Sequence, residues 1–209
     1  MRPAALPRLV ATTATRTTLH RLAEDVLAAE QHAANGELAL MSTPDGVATG
    51  WFPSPAGVPT RIRIEGSDVV RESGAHADRE SIVGPFDRAA ADVLYGWWAN
   101  GDAVLSALEP ATGESISPVI LWPEHFDIAV TLTAVDGRRM NLGFSPGDDF
   151  SSQPYVYAGP WEQLSGPFWN APFGAFRSYE QIAAAATIAA AAFLTEAVSY
   201  THLTLPTKA

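Results

Sequence analysis

A chain of 209 residues, 47% hydrophobic and 17% charged, is long enough to fill one domain core and too apolar to stay disordered. Its formal net charge of −10 repels phosphate backbones and argues against nucleic acid as a partner, since that needs a basic face. The absence of cysteine removes disulfides, thiolate metal sites and cysteine nucleophiles, as suits a reducing compartment.

At the amino terminus, Pro3, Pro7 and Arg8 interrupt the apolar stretch that a signal peptide needs. The longest uncharged apolar run, Ala183 to Leu194, is mostly alanine and too short to cross a bilayer. A soluble, cytoplasmic protein with no membrane partner is expected. In "TRTTLHRLAEDVLAAEQHAANG", Leu19, Leu22, Ala23, Val26 and Leu27 recur at helical spacing and Gly36 ends the pattern, which predicts a first helix. His20 and His32 read as part of its solvated face, with His20 one turn from Glu24.

Two hairpins follow. Pro44, Asp45 and Gly46 separate short apolar runs, and Ile62 and Ile64 alternate with charged residues before a Gly66-Ser67 turn. "SGAHADRES", with His76, reads as a loop. Phe86, Ala90, Val93, Leu94, Trp97, Val104, Leu105 and Leu108 form the stripe of a second helix, which Gly101 is expected to bend. Trp97 and Trp98 point about 100° apart on a helix, so one of them is expected to cover a second surface or a pocket rim. Pro110 and Pro118 bound a loop.

The second β block opens with "LWPEHFDIAV". Alternation puts Phe126, Ile128, Val130, Leu132 and Ala134 on the core face and His125, Asp127, Thr131 and Thr133 on the other. The returning strand carries Met140, Leu142 and Phe144, which meet the outgoing core face when the connecting loop has an odd number of residues. His125, Asp127, Asp148 and Asp149 then share a neighbourhood. That cluster admits a divalent metal held by all four residues, or acid–base catalysis by His125 oriented by Asp127. Ordinary hydrogen bonding to loop amides is the third account. No cofactor other than a possible divalent metal is indicated.

"PYVYAGPWEQLSGPFWNAPFGAF" is the most aromatic stretch, and its Gly and Pro residues exclude helix before Ser178. Either it completes the core as a lid or it lines a pocket for a small-molecule ligand, with Tyr155, Tyr157, Trp161, Trp169 and Asn170 as the contact residues. No dinucleotide, P-loop, zincin or nucleophile-elbow motif occurs. Small-molecule binding through an aromatic-lined pocket leads, ahead of a metal-dependent or acid–base enzyme centred on His125 and a non-catalytic interaction domain. The sequence does not indicate an oligomeric state.

"LWPEHFDIA", "SPGDD", "PYVYAGPW" and "FWNAPFGA" together resemble an uncharacterised family of hypothetical proteins from high-GC, actinobacterial-type genomes, from the "TRTTLHRLAE" helix onward. The resemblance implies no activity and no catalytic residue. It also implies a His near Ser151 and a Glu at Gln153 in relatives, two potential ligands that this chain lacks.

The carboxy-terminal Val198 to Thr207 matches letter for letter the translation of a sequencing-adapter string, GTC TCT TAT ACA CAT CTG ACG CTG CCG ACG. Lys208 is the sole lysine among otherwise arginine-only basic residues. Residues 198–209 are therefore expected to be foreign and poorly packed, leaving residues 1–197 as a single α+β domain: a mostly antiparallel sheet built from two hairpin blocks with three helices packed on it.

Overall fold

A computed structural model describes residues 9–203, with side chains placed for residues 9–200. Pro3, Pro7 and Arg8, and the tail from Thr204 onward, lie outside the described residues. The fold is α+β, with three helical segments and two antiparallel sheets of six strands each. The first segment runs as α1 (Thr13–Leu22), a π-helical stretch (Ala23–Ala28) and α2 (Ala29–Asn35). It stops where Gly36 turns left-handed and donates to the His32 carbonyl at 2.8 Å. Leu19, Ala23 and Leu27 are fully buried, so the predicted stripe is the packed face.

The first hairpin block builds one sheet from β1 (Met41–Thr43), β2 (Gly46–Ala48), β3 (Phe52–Pro53), β4 (Pro59–Glu65), β5 (Asp68–Ser73) and β6 (His76–Ser81). Its order is β1-β2-β4-β5-β6, with β3 also on β4. Ile62 and Ile64 on β4 are buried. "SGAHADRES" is not a loop: it forms the turn and edge strand β6, with His76 opposite Ser73. Every β6 residue is exposed, so the strand has no apolar alternation to announce it, and its charges guard the sheet edge.

Helix α3 (Arg88–Ser106) starts where the Asp87 carboxylate accepts from the Ala90 amide at 2.8 Å. It packs against both sheets and against the first and last helices, so it buries more than one face. Trp97 and Trp98 are consequently both at 0% exposure, and neither forms a rim. Trp97 lies 5.2 Å from the Phe144 ring and 5.3 Å from that of Tyr179, while Trp98 meets Phe126 at 4.6 Å. Gly101 does not break the helix; a Cβ there would stand 2.9 Å from Ile128 Cγ2 and from Phe144 Cγ, so its missing side chain lets α3 settle onto the second sheet.

That second sheet comprises β7 (Ser115–Ile116), β8 (Ile120–Trp122), β9 (Asp127–Thr133), β10 (Arg139–Ser145), β11 (Tyr155–Pro160) and β12 (Ala175–Ser178). The order is β12-β11-β10-β9-β7, with β8 also on β9. Thr133 pairs with Arg139, leaving the odd, five-residue loop 134–138, and Met140, Leu142 and Phe144 face Leu132, Val130 and Ile128 as expected. The two blocks thus close separate sheets, linked by a single bridge between Leu40 and Leu121 among the described residues.

The last segment runs as α4 (Tyr179–Ile182), a 3-10 turn (Ala183–Ala185) and α5 (Ala186–Leu203). By length and composition alone the helix Tyr179–Tyr200 could cross a membrane; it is longer than the uncharged run because it includes Glu180 and Glu196. In this fold Ala190, Leu194 and Ala197 are fully buried, and α5 packs on α3, β11 and β12. At the start of the tail, Val198 and Tyr200 pack against the core more closely than expected, and the Tyr200 ring lies 4.8 Å from that of Phe168. A peptide that continues a helix in register packs whatever its origin, so this contact leaves the adapter match as it stands.

Gly101→Ala should destabilise the protein by about 1–3 kcal/mol through overpacking, although alanine is the better helix former. Urea denaturation measures this, and an unchanged or raised midpoint would show that α3 does not rely on the close approach.

Candidate ligand cleft

"LWPEHFDIAV" turns out to be a hairpin corner. Leu121 and Trp122 end β8, Pro123 to Phe126 make the turn, and Asp127 begins β9, paired with Trp122. Phe126 takes φ 57°, a left-handed conformation unusual for a bulky residue, and its amide donates to the Trp122 carbonyl at 2.7 Å. Three contacts hold it there. The Trp98 indole donates to the Phe126 carbonyl at 3.2 Å, the His20 ring stacks on Phe126 at 5.1 Å, and His20 Nε2 lies 2.8 Å from the Pro123 carbonyl. A carbonyl only accepts, so Nε2 carries the proton. His20 keeps the expected neighbour Glu24 at 4.0 Å and stays partly exposed, and it also forms part of the cleft wall.

The side of the second sheet turned away from α3 carries Asp127, Ala129 and Thr131 on β9, Asn141, Gly143 and Ser145 on β10, and Tyr155, Tyr157 and Gly159 on β11. Small residues across the centre leave a hollow. A cleft of about 870 Å³ lies over it, continuous with a groove of about 590 Å³ that reaches Trp122 and Ser117. Tyr155, Tyr157, Phe150, Phe173 and Trp161 line the cleft, with Arg16, His20 and His125 also on its surface. Phe150 meets Phe173 at 4.9 Å and Phe176 at 5.0 Å, both edge to face, which makes the aromatic wall a packed unit.

The buried polar centre is the pair Tyr157–Asp127. The Tyr157 hydroxyl donates to Asp127 Oδ2 across the intervening strand β10. Gly143 lies directly opposite Tyr157 in the register, and a Cβ at Gly143 would stand 2.6 Å from the tyrosine ring. Asp127 is 7% exposed, and its Oδ1 has no hydrogen-bond partner among the described residues. Burial pushes the Asp127 carboxyl above the usual carboxylate range, against the opposing pull of the Tyr157 hydroxyl and the nearby His125. Burial, followed by the Asp127 charge, drives the Tyr157 hydroxyl well above its ordinary value.

The sequence-derived candidates divide. Tyr155, Tyr157 and Trp161 do line the cleft. Trp169 does not: it packs at 5.0 Å on Phe168, on the α5 side, and is partly buried against the core. Asn170 braces β12, its Oδ1 accepting from the Phe176 amide at 2.9 Å and its Nδ2 donating to the Phe176 carbonyl at 3.3 Å. His125 sits exposed in the turn and not on the strand; no hydrogen bond joins it to Asp127, which is committed to Tyr157.

Asp148 caps its own loop. Its Oδ1 accepts from the Phe150 and Ser151 amides at 2.8 and 3.1 Å, and its Oδ2 from the Tyr155 hydroxyl at 2.6 Å. His125, Asp127, Asp148 and Asp149 all line the cleft. They do not converge, because each of the two aspartates with a hydrogen bond is held by a different tyrosine. Among the described residues no three His, Asp or Glu side chains are grouped to hold a metal ion. Sequence reasoning missed the Tyr157–Asp127 bond and the His20 contact. One signal was available: a glycine inside the alternating strand "MNLGF" marks a close approach.

No protein-family model, curated protein or solved structure matches the chain.

A buried group that prefers its proton in the fold makes stability pH-dependent. The folded Asp127 pKa lies above the unfolded one, so folding binds a proton between the two values. The stabilising contribution is full below about 3.9, the unfolded value, and is lost as pH rises through the raised folded value. Asp127→Asn keeps an acceptor for Tyr157 and removes the titration. Unfolding free energies measured against pH should therefore decline over that window in the wild type more steeply than in Asp127→Asn; superimposable profiles would mean that Asp127 does not titrate abnormally.

Proposed function

We propose that the chain is a small-molecule-binding protein whose site is the cleft on the outer face of the second sheet. One observation carries the reading: a buried carboxyl with an unpartnered oxygen lies beneath an aromatic-walled hollow. An apolar body with a few convergent polar groups is the usual make-up of a ligand pocket. A half-satisfied buried acid costs about 1–3 kcal/mol or more, which a bound donor offsets. The concave shape favours a small ligand over the flat patch that an interaction domain presents. A soluble cytoplasmic setting, and membership of the actinobacterial-type family that the motifs resemble, belong to the same proposal; neither assigns a residue role.

A second reading rests on the raised proton affinity of Asp127. A carboxyl with raised proton affinity beside a tyrosine suits general acid catalysis, which adds Asp127 to His125 as a centre for acid–base chemistry.

A thermal-shift screen with a fragment library tests the binding reading. A compound at about one hundred times its Kd adds about 2.7 kcal/mol, or about 5–10 °C in Tm. Phe173→Ala, which opens the aromatic wall, should cut that shift by more than half. Hits insensitive to Phe173→Ala, or no hits at all, would remove the cleft as the binding site.

A further inference from the structure

The cleft's polar groups differ in what they have left to offer. Asp148 has both oxygens occupied. Arg16 donates to the Ser152 carbonyl at 3.3 Å and faces Asp148 and Asp149. Arg139 lies over the Trp161 ring at 4.9 Å, and the Trp161 indole donates to Asn141 at 3.2 Å. Asp127 is the buried acid with an unpartnered oxygen, Oδ1, which lies just beneath the cleft surface and is reached by a ligand that displaces its cover. Around it stand the Tyr157 ring, the Tyr155 ring 6.2 Å farther along, and Phe173 at 6.2 Å from Tyr157.

Resting on the binding reading above, we infer that the cleft takes a small organic cation: a protonated amine on a flat apolar body, its ammonium donating to the Asp127 carboxylate. Burial favours the protonated acid, and a bound ammonium shifts that balance toward the carboxylate, which in a desolvated site gains most from a charged donor. The π-faces of the aromatic wall offer a cation further attraction. A neutral alcohol would supply a weaker hydrogen bond and leave the acid's charge unbalanced. An anionic ligand would meet Asp127, Asp148, Asp149 and Glu124, which all line the same hollow. A chain carrying a net charge of −10 also draws cations toward it.

Three isosteres sharing one ring separate these cases by calorimetric titration at neutral pH: phenethylamine, 2-phenylethanol and phenylacetate. The amine should bind about ten-fold or more tightly than the alcohol, the ratio that one charge-assisted hydrogen bond supplies, and phenylacetate should bind weakest. Asp127→Asn should remove the amine's advantage over the alcohol, with a thermal melt confirming that the variant is folded. Equal binding of all three, tightest binding of phenylacetate, or an amine preference that survives Asp127→Asn would each overturn the cation assignment. If none of the three binds while fragment hits remain sensitive to Phe173→Ala, the cation class falls and the cleft stands. If the fragment hits fail too, both readings fall.

Discussion

Tyr157 and Asp127 stand on β11 and β9, with the width of β10 between them. Neighbouring strands lie about 4.8 Å apart, so a side chain crossing two of those intervals must lie flat on the sheet. Any side chain at position 143 would lift it off. Gly143 is therefore the constraint from which the site follows: it lets the tyrosine ring lie down, the lying ring covers Asp127, and the covered carboxyl holds its proton more tightly. The small residues Ser145 and Gly159 line the hollow of the cleft beside that ring.

The other half of the arrangement comes from the opposite face. Helix α3 settles against the second sheet through Gly101 and places Trp98 under the corner that precedes Asp127. The indole hydrogen bond to the Phe126 carbonyl and the His20 contact to Pro123 fix that corner from two helices at once. The left-handed Phe126 stores strain of about 1–3 kcal/mol, which the burial of its ring between Trp98 and His20 offsets. Core packing and site geometry thus meet in one residue, and the position of Asp127 depends on both sides of the sheet.

Much of this was legible in the sequence, and the limits have physical causes. Periodicity located the first two helical segments and the second-sheet register, because burial imposes it on each. Edge strand β6 escaped since a fully exposed strand has no apolar rhythm. The separation of about 100° between Trp97 and Trp98 gave the second surface, but their full burial was not legible, since it depends on the enclosure of α3 by several elements. Tyr157 was visible as an aromatic and Asp127 as an acid, thirty residues apart. Their bond depends on strand order across β10, and no local pattern reports strand order. Trp169 and Asn170 were misplaced for the converse reason: a Pro- and Gly-rich loop of aromatics carries no signal for which side of the sheet each ring reaches.

The chemistry of the cleft turns on the ionisation of one carboxyl. A carbon-13 NMR titration that follows the Asp127 side-chain carboxyl resonance, assigned through its loss in Asp127→Asn, reads that directly. The predicted result is a midpoint clearly above the usual carboxylate range of about 3.9, moving higher still in Tyr157→Phe, where the hydrogen bond that favours the charged form is gone. A midpoint at or below the ordinary value would mean that the carboxyl is well solvated or already fully partnered, and the cleft would lose the open acid on which its chemistry rests.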